Sequence, residues 1–189
     1  MRVGEIERET KETTINVRFD LDGNGEADVE TGIEFFDHLL EAFTKHGRFD
    51  LTVDSKGDFD HHIAEDTMIC LGKALEDALG DKSGIRRMGD AIVPMDDSLA
   101  LVAIDLGGRC YSNVEVDFVK EKLIDLNSDL FVHLLETFGN NANANLHVDI
   151  LRGNNDHHMA EAIYKALGIA LFEAVKKVGE GVPSTKGTV

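Results

Sequence analysis

The chain is short of sulfur, of cations and of long apolar runs. Only Cys70 and Cys110 occur among its 189 residues, far apart and outside any C-x-x-C spacing. That argues against a disulfide framework or a thiolate zinc site and suits a reducing compartment. Lys and Arg number 19 against 36 Asp and Glu, a net charge of -17, and such a field disfavours nucleic acid and anionic membrane surfaces as partners. An anionic small molecule would have to be met by a local basic pocket. No stretch approaches 18 uninterrupted apolar residues, so no membrane span is predicted. The opening MRVGEIERETKETT is charged and has no apolar run of the secretory kind, so the expected location is the cytoplasm. Pro-rich and Ser-rich linkers are missing too, and the length suits one domain with a sizeable core.

What is there divides into two similar halves. TTINVRFDL and EADVET alternate as strands do, FFDHLLEAFTKHG has helical spacing, FDLTVDS reads as a short strand and HHIAEDTMICLGKALEDALG as a long amphipathic helix. From about Asp90 the order β-β-α-β-α starts again. Strands in AIVPMDDSLALVAIDLGG and CYSNVEVDF precede helix SDLFVHLLETFG, strand NLHVDIL and helix DHHMAEAIYKALGIALFEAV. HLLEAF (38–43) answers HLLETF (133–138), and DHHIAED (60–66) answers DHHMAEA (156–162), at intervals that match to within one residue. The expected fold is an α+β domain over 1–189 with internal pseudo-twofold symmetry, its repeats (about 1–89 and 90–177) packing two sheets with helices around a shared core. A tail, 178–189, follows and would ordinarily be read as frayed.

The repeated histidines carry the chemistry. Positions i and i+4 share a helix face while i+1 is turned by about 100°, so His61 with Glu65 can grip one ion while His62 points to another. His157 with Glu161, and His158, repeat the pattern, and His38 and His133 bring the donors to eight. Two metals with four protein ligands each would be satisfied, one by His61, Glu65, His133 and His158, the other by His157, Glu161, His38 and His62. Imidazole and carboxylate without thiolate suit Mn, Fe or Zn, with manganese the first choice, and an octahedral ion so held keeps open positions for substrate. Spacing leaves open whether one chain or several close such sites. DLDGNGEADVET (20–31) places Asp20, Asp22 and Asn24 as a calcium loop would, but Thr31 stands at the twelfth position and strands flank it, so a β-turn is the expectation.

These blocks are joined by others in order: RETKET (8–13), TGIEFFDHLLEAFTKHGRFDL, HHIAED, GIRRMGD, VPMDDSLA, DLGGR, GNNDHHMAEAIYKA and PSTKG. The series, running through nearly the whole chain, resembles the imidazoleglycerol-phosphate dehydratase family of histidine biosynthesis. The resemblance implies a duplicated unit of the ribosomal S5 second-domain type, two manganese ions per active site, and a homo-oligomer of 24 subunits with active sites at subunit interfaces. The implied reaction removes water from D-erythro-imidazole glycerol phosphate to give imidazole acetol phosphate. It further implies Glu12 as general base, Asp96 as a residue orienting a hydroxyl or water, and Lys165 near the site. Arg87, Arg109, Ser184 and Lys186 are the implied phosphate ligands, a role guanidinium forks and a lysine charge suit. Arg86 is expected on the solvated surface, and His46 and His147 in structural roles.

The chain departs from the family pattern in GDFDHH, about three residues shorter than usual, and in Asp97, Gly107 and Cys110. Two other functions compete. A dinuclear phosphoester hydrolase would use the same metals to activate water, but such sites are rich in bridging carboxylates, and here imidazoles outnumber them. A metal-assembled structural shell would leave Glu12, Arg87, Arg109 and PSTKG without a purpose.

Overall fold

The computed structural model describes residues 2–187. The first half runs β1 (Val3–Glu9), β2 (Thr13–Asp20), β3 (Ala27–Glu30), α1 (Glu34–Gly47), β4 (Asp50–Gly57) and α2 (Asp60–Leu79). The second runs β5 (Met88–Met95), β6 (Ser98–Asp105), β7 (Tyr111–Glu115), a small hairpin of β8 (Lys122–Leu123) and β9 (Leu126–Asn127), then α3 (Ser128–Asn141), β10 (Asn145–Arg152) and α4 (Asp156–Val175). Sheet order is β1-β2-β4-β3 in one half and β5-β6-β10-β7 in the other, each with one parallel pair, β3 with β4 and β7 with β10.

The duplication is therefore present, with one strand more in each four-stranded sheet than periodicity alone supplies and the short β8–β9 hairpin besides in the second half. In the first half the added strand is β1, whose charged sequence hid it. Glu5, Glu7 and Glu9 alternate outward while Gly4, Ile6 and Arg8 turn inward, and β2 pairs with it from Val3↔Asp20 to Glu9↔Thr14. An edge strand needs only one apolar face, and acidic residues on the other discourage pairing with further chains. Strand β1 runs so close to α2 that a Cβ on Gly4 would stand 1.9 Å from the carbonyl oxygen of Ala74. Gly89 in β5 has the same relation to Ala170 in α4, at 2.0 Å.

Helices α2 and α4 cover the inner faces of their own sheets, and across the halves α1 packs on α4 and α2 on α3. The helices thus occupy the middle, with one continuous apolar core that includes Phe19, Phe36, Phe43, Phe131, Phe138 and Tyr164. Gly168 lets α4 approach α1, since a Cβ there would lie 2.4 Å from the Phe43 carbonyl oxygen; Gly72 serves α2 against α3 in the same way. Helix α1 begins at Ile33, which has no capping side chain. The cap comes from the other half, where Asp125 Oδ1 of the β8–β9 turn accepts the Phe35 N–H at 3.1 Å.

The 20–31 segment is a turn, as expected. Asp50 Oδ1 accepts the backbone N–H groups of Asn24 and Glu26, and Asp22 pairs with Arg2 at 2.6 Å. Asp20 and Asp22, which a calcium loop would use, are spent on the fold.

Candidate active site

Because α1 lies on α4 and α2 on α3, each metal-type cluster draws one histidine from one half and an H-x-x-x-E pair from the other. His38, His157 and Glu161 form the first, with Glu161 Oε2 3.5 Å from His38 Nε2 and 3.4 Å from His157 Nε2. His61, Glu65 and His133 form the second, with Glu65 oxygens 3.5 Å from His61 Nε2 and 3.0 Å from His133 Nε2. In each the two imidazoles lie nearly parallel, about 6 Å apart between ring centres. Two converging imidazoles and a carboxylate, without thiolate, fit a Mn-, Fe- or Zn-class ion.

The fourth donors expected for each ion are elsewhere. His62 Nδ1 lies 2.8 Å from Asp58 Oδ1 and 3.9 Å from Glu12 Oε2. His158 Nδ1 lies 2.7 Å from Asp97 Oδ1, and its Nε2 is 3.5 Å from Asp96 Oδ2. Within one chain neither joins a triad, so the four-ligand sets are brought only three-quarters together. The reason is the 100° step between neighbouring helix positions. Both are nonetheless dressed as metal ligands commonly are, with a carboxylate on Nδ1 that fixes the ring. The hydrogen bond that Asp58 accepts holds the His62 imidazole above its ordinary pKa and itself depresses the Asp58 carboxyl. His158, with the amides of Asn154 and Asn155, brings Asp97 down to about 2. In α4 the Asn155 side chain caps the N–H groups of His157 and His158, setting both.

Lys165 Nζ is 2.8 Å from Glu161 Oε1 and 3.4 Å from Met95 Sδ. Burial opposes charge on Glu161, but Lys165 and His38 outweigh it and hold the carboxyl below its ordinary pKa. Burial, then the charge of Lys165, depresses the His46 imidazole. His46 thus feels the first cluster without ligating.

Arg87, Arg109, Ser184 and Lys186 lie near one another. With Met88, Gly107, Gly108, Pro183 and Thr185 they line one cleft of about 510 Å³. As far as it is described, the tail lies against the fold, docked by hydrogen bonds from Gly84 N to Gly181 O and from Val178 N to Gly84 O; residues 188 and 189 lie outside the described residues. Arg87 spends its Nε and Nη2 on Asp105, at 2.6 and 2.9 Å, and its Nη1 on the Pro183 carbonyl at 3.1 Å. The Arg109 guanidinium has no ion pair among the described residues and is exposed. Gly107 has a reason here, since a Cβ would lie 2.6 Å from Arg87 Nη2 and crowd the Arg87–Asp105 pair. Arg86 is exposed, paired with Glu173 at 2.8 Å.

The cleft and the Asp96 turn stand at opposite ends of β5, roughly 30 Å apart at about 3.3 Å per residue. Sequence reasoning had not found Asp58, Asp66, Thr13 or Asp105; single carboxylates and hydroxyls without a repeat give no periodic signal. Asp58 alone had one, four residues before His62.

The family model described as imidazoleglycerol-phosphate dehydratase matches residues 31–171. The chain is 48% identical to the imidazoleglycerol-phosphate dehydratase of Methanococcoides burtonii, over all of both chains. It is 51% identical to that of Dehalococcoides mccartyi, over 98% of this chain and 96% of the relative. Crystal structures of the dehydratases from Staphylococcus aureus and from Pyrococcus furiosus, the latter in complex with (S)-C348, superpose with a TM-score of 0.85 each. Identities are 32% and 36%, covering 93% and 97% of this chain and 99% and 100% of those.

Proposed function

The chain belongs to the imidazoleglycerol-phosphate dehydratase family, and from that premise we propose how its residues divide the work of removing water from D-erythro-imidazole glycerol phosphate in histidine biosynthesis. The observation that carries the proposal is the pair of symmetric His-His-Glu clusters, each built across the two halves.

His38, His157 and Glu161 would hold one manganese ion, and His61, Glu65 and His133 the other. His62 and His158 of neighbouring copies would complete the sets, giving two ions per active site. When bound, the ions would supply Lewis-acid stabilisation of the substrate's imidazolate, the anion whose electron pair expels the adjacent hydroxyl. Glu12, exposed on the β1–β2 turn, takes the proton from the carbon beside the hydroxyl-bearing one; the enol then becomes the ketone. Asp96 orients a hydroxyl or water from the equivalent β5–β6 turn, and Lys165 keeps Glu161 ionised. Arg109, Ser184 and Lys186 grip the phosphate, while Arg87, held by Asp105, ties the tail to the cleft floor.

The substrate spans only about 10 Å at covalent bond lengths near 1.5 Å. It cannot reach from one chain's anion cleft to the same chain's Asp96 turn, which supports an active site assembled from several copies and hence a homo-oligomer, with 24 subunits the reading we favour. The outer face of the second sheet supports self-association as well: it turns Met88, Ile92 and Pro94 outward, with Asp90 among them, beside half-buried Leu99 and Leu101. Two free cysteines, Cys110 of them exposed, favour a cytoplasmic location.

The test is turnover by metal-stripped protein before and after adding Mn²⁺, with ketone and free phosphate followed together. Ketone should appear only with metal, and Glu12→Gln should lower kcat by at least a hundredfold while metal content and assembly persist, within the usual range for loss of a general base. Free phosphate without ketone would favour the hydrolase. Full turnover by the Glu12→Gln variant would remove Glu12 from its role.

A further inference from the structure

The β1–β2 turn that carries Glu12 is exposed, yet its base is buried. Thr10 Oγ1 accepts the N–H groups of Glu12 and Thr13, at 3.1 and 2.9 Å, which closes the turn. Thr13, 3% exposed, donates its hydroxyl to Asp66 Oδ2. Arg8, turned inward from β1, places Nε 3.0 Å from Asp66 Oδ1. Asp66 is itself buried, one residue beyond Glu65 and on the same helix as His61 and His62. One carboxylate therefore ties both strands flanking Glu12 to the helix that carries three metal-type donors.

The duplication provides an internal control. Thr13 opens β2 as Ser98 opens β6, and the two meet equivalent neighbours. A Cβ on Gly57 would touch Thr13 and Ile63, and one on Gly153 would touch Ser98 and Met159. The position equivalent to Asp66, however, is Ala162. Ser98 Oγ is buried with no hydrogen-bond partner among the described residues. The second turn is held instead from outside, by Asp97, which accepts from Asn154 and Asn155 N–H groups and pairs with His158. The two halves thus keep the hairpin but anchor it differently, and the buried anchor stands only under the turn that bears Glu12.

We infer that Asp66, acting through Thr13 and Arg8, is the positioning residue of Glu12, fixing the carboxylate relative to the imidazoles of α2. A half-buried ion pair and a buried hydrogen bond can hold a turn where an exposed glutamate cannot hold itself, because rotamer freedom and water compete with any surface contact. Proton transfer depends on placement at the scale of about 0.5 Å, so loosening the anchor acts on kcat before it acts on binding. The inference rests on Glu12 being the base.

The experiment uses the full-length, manganese-loaded protein. Thr13→Val keeps the volume and removes the hydroxyl; Thr13→Ser keeps the hydroxyl. We expect Thr13→Val to lower kcat about tenfold, with KM and bound metal within twofold of the parent, and Thr13→Ser to stay within twofold in kcat. In a Glu12→Gln background, Thr13→Val should cause no further loss, since a residue acting through another cannot act once that other is gone. Asp66→Asn, read in the same way, decides the matter should Thr13→Val not assemble. Unchanged kcat in Thr13→Val and Asp66→Asn, beside an inactive Glu12→Gln, overturns the inference and leaves Glu12 as base. A parallel fall of metal content and kcat overturns it in favour of a purely structural role. Full activity of Glu12→Gln overturns the premise itself.

Discussion

Among single residues, Cys70 shows how burial, more than its charged neighbours, shifts the titration of a side chain. It sits in the middle of α2 with no exposed surface, and desolvation pushes its thiol from 9.0 up to about 11. A group whose folded pKa is raised contributes stability in full below its unfolded pKa and loses it as pH climbs through the folded one. The window is therefore pH 9 to about 11, and the loss is about 2–3 kcal/mol at about 1.4 kcal/mol for each pKa unit. Urea melts across that range should show the decline, and Cys70→Ala should flatten it relative to the parent. An equal alkaline slope in the variant would assign the loss to other groups. The carboxylates display the same logic outward, where hydrogen bonds rather than burial decide: Asp97 lies low because His158 and two amides face it. Single residues of this kind are poorly legible in a sequence. His61, His62, Glu65 and their repeats announce themselves by pattern, whereas Asp66 looks like any helical acid until Thr13 and Arg8 are seen around it.

Between elements, the decisive contacts are those of α1 with α4 and of α2 with α3, because each crossing sets the width of a metal-type cluster. Gly168 is the closest point of the first. A methyl there would meet the Phe43 carbonyl at 2.4 Å and the Gly47 nitrogen at 3.0 Å, backbone atoms that cannot swing aside. Gly168→Ala should therefore cost about 1–3 kcal/mol of stability, the usual range for overpacking. It should also weaken metal binding at least tenfold, since His38 rides on α1 and His157 with Glu161 on α4. Calorimetric titration of Mn²⁺ into stripped protein, with a urea melt alongside, measures both; unaltered affinity would mean that the cluster does not depend on this crossing. The elements themselves were largely legible, and the helices most of all, since amphipathic spacing over three or more turns is a strong signal. Strand β1 was not, because Glu5, Glu7 and Glu9 fill its exposed face and leave only Gly4 and Ile6 as apolar marks on the other. The hairpin β8–β9 was too short to have a period.

For the whole molecule, the proposed assembly of several copies rests on the separation of the Arg109 cleft from the Asp96 turn along β5 and on His62 and His158 standing apart from both triads. If neighbouring copies supply the missing ligands, metal binding and assembly are linked, and anything that removes the ion destabilises the assembled state. Chelation should then lower the particle mass seen by light scattering, and Mn²⁺ should restore it. Stripped protein that keeps its full mass would show that apolar contacts such as the Met88–Ile92 face hold the assembly unaided. The sequence by itself determined the duplication, the α+β class, the donor types and the membership of a family, because these depend on repeat, period and composition, which are local and additive along the chain. The tertiary structure alone decided which donors meet. Helices pair across the halves rather than within them, a single step of a helical turn sends His62 and His158 away from their expected partners, and an eight-residue strand holds Arg87 far from Asp96. Those outcomes depend on packing between segments distant in sequence, and one-dimensional spacing does not contain them.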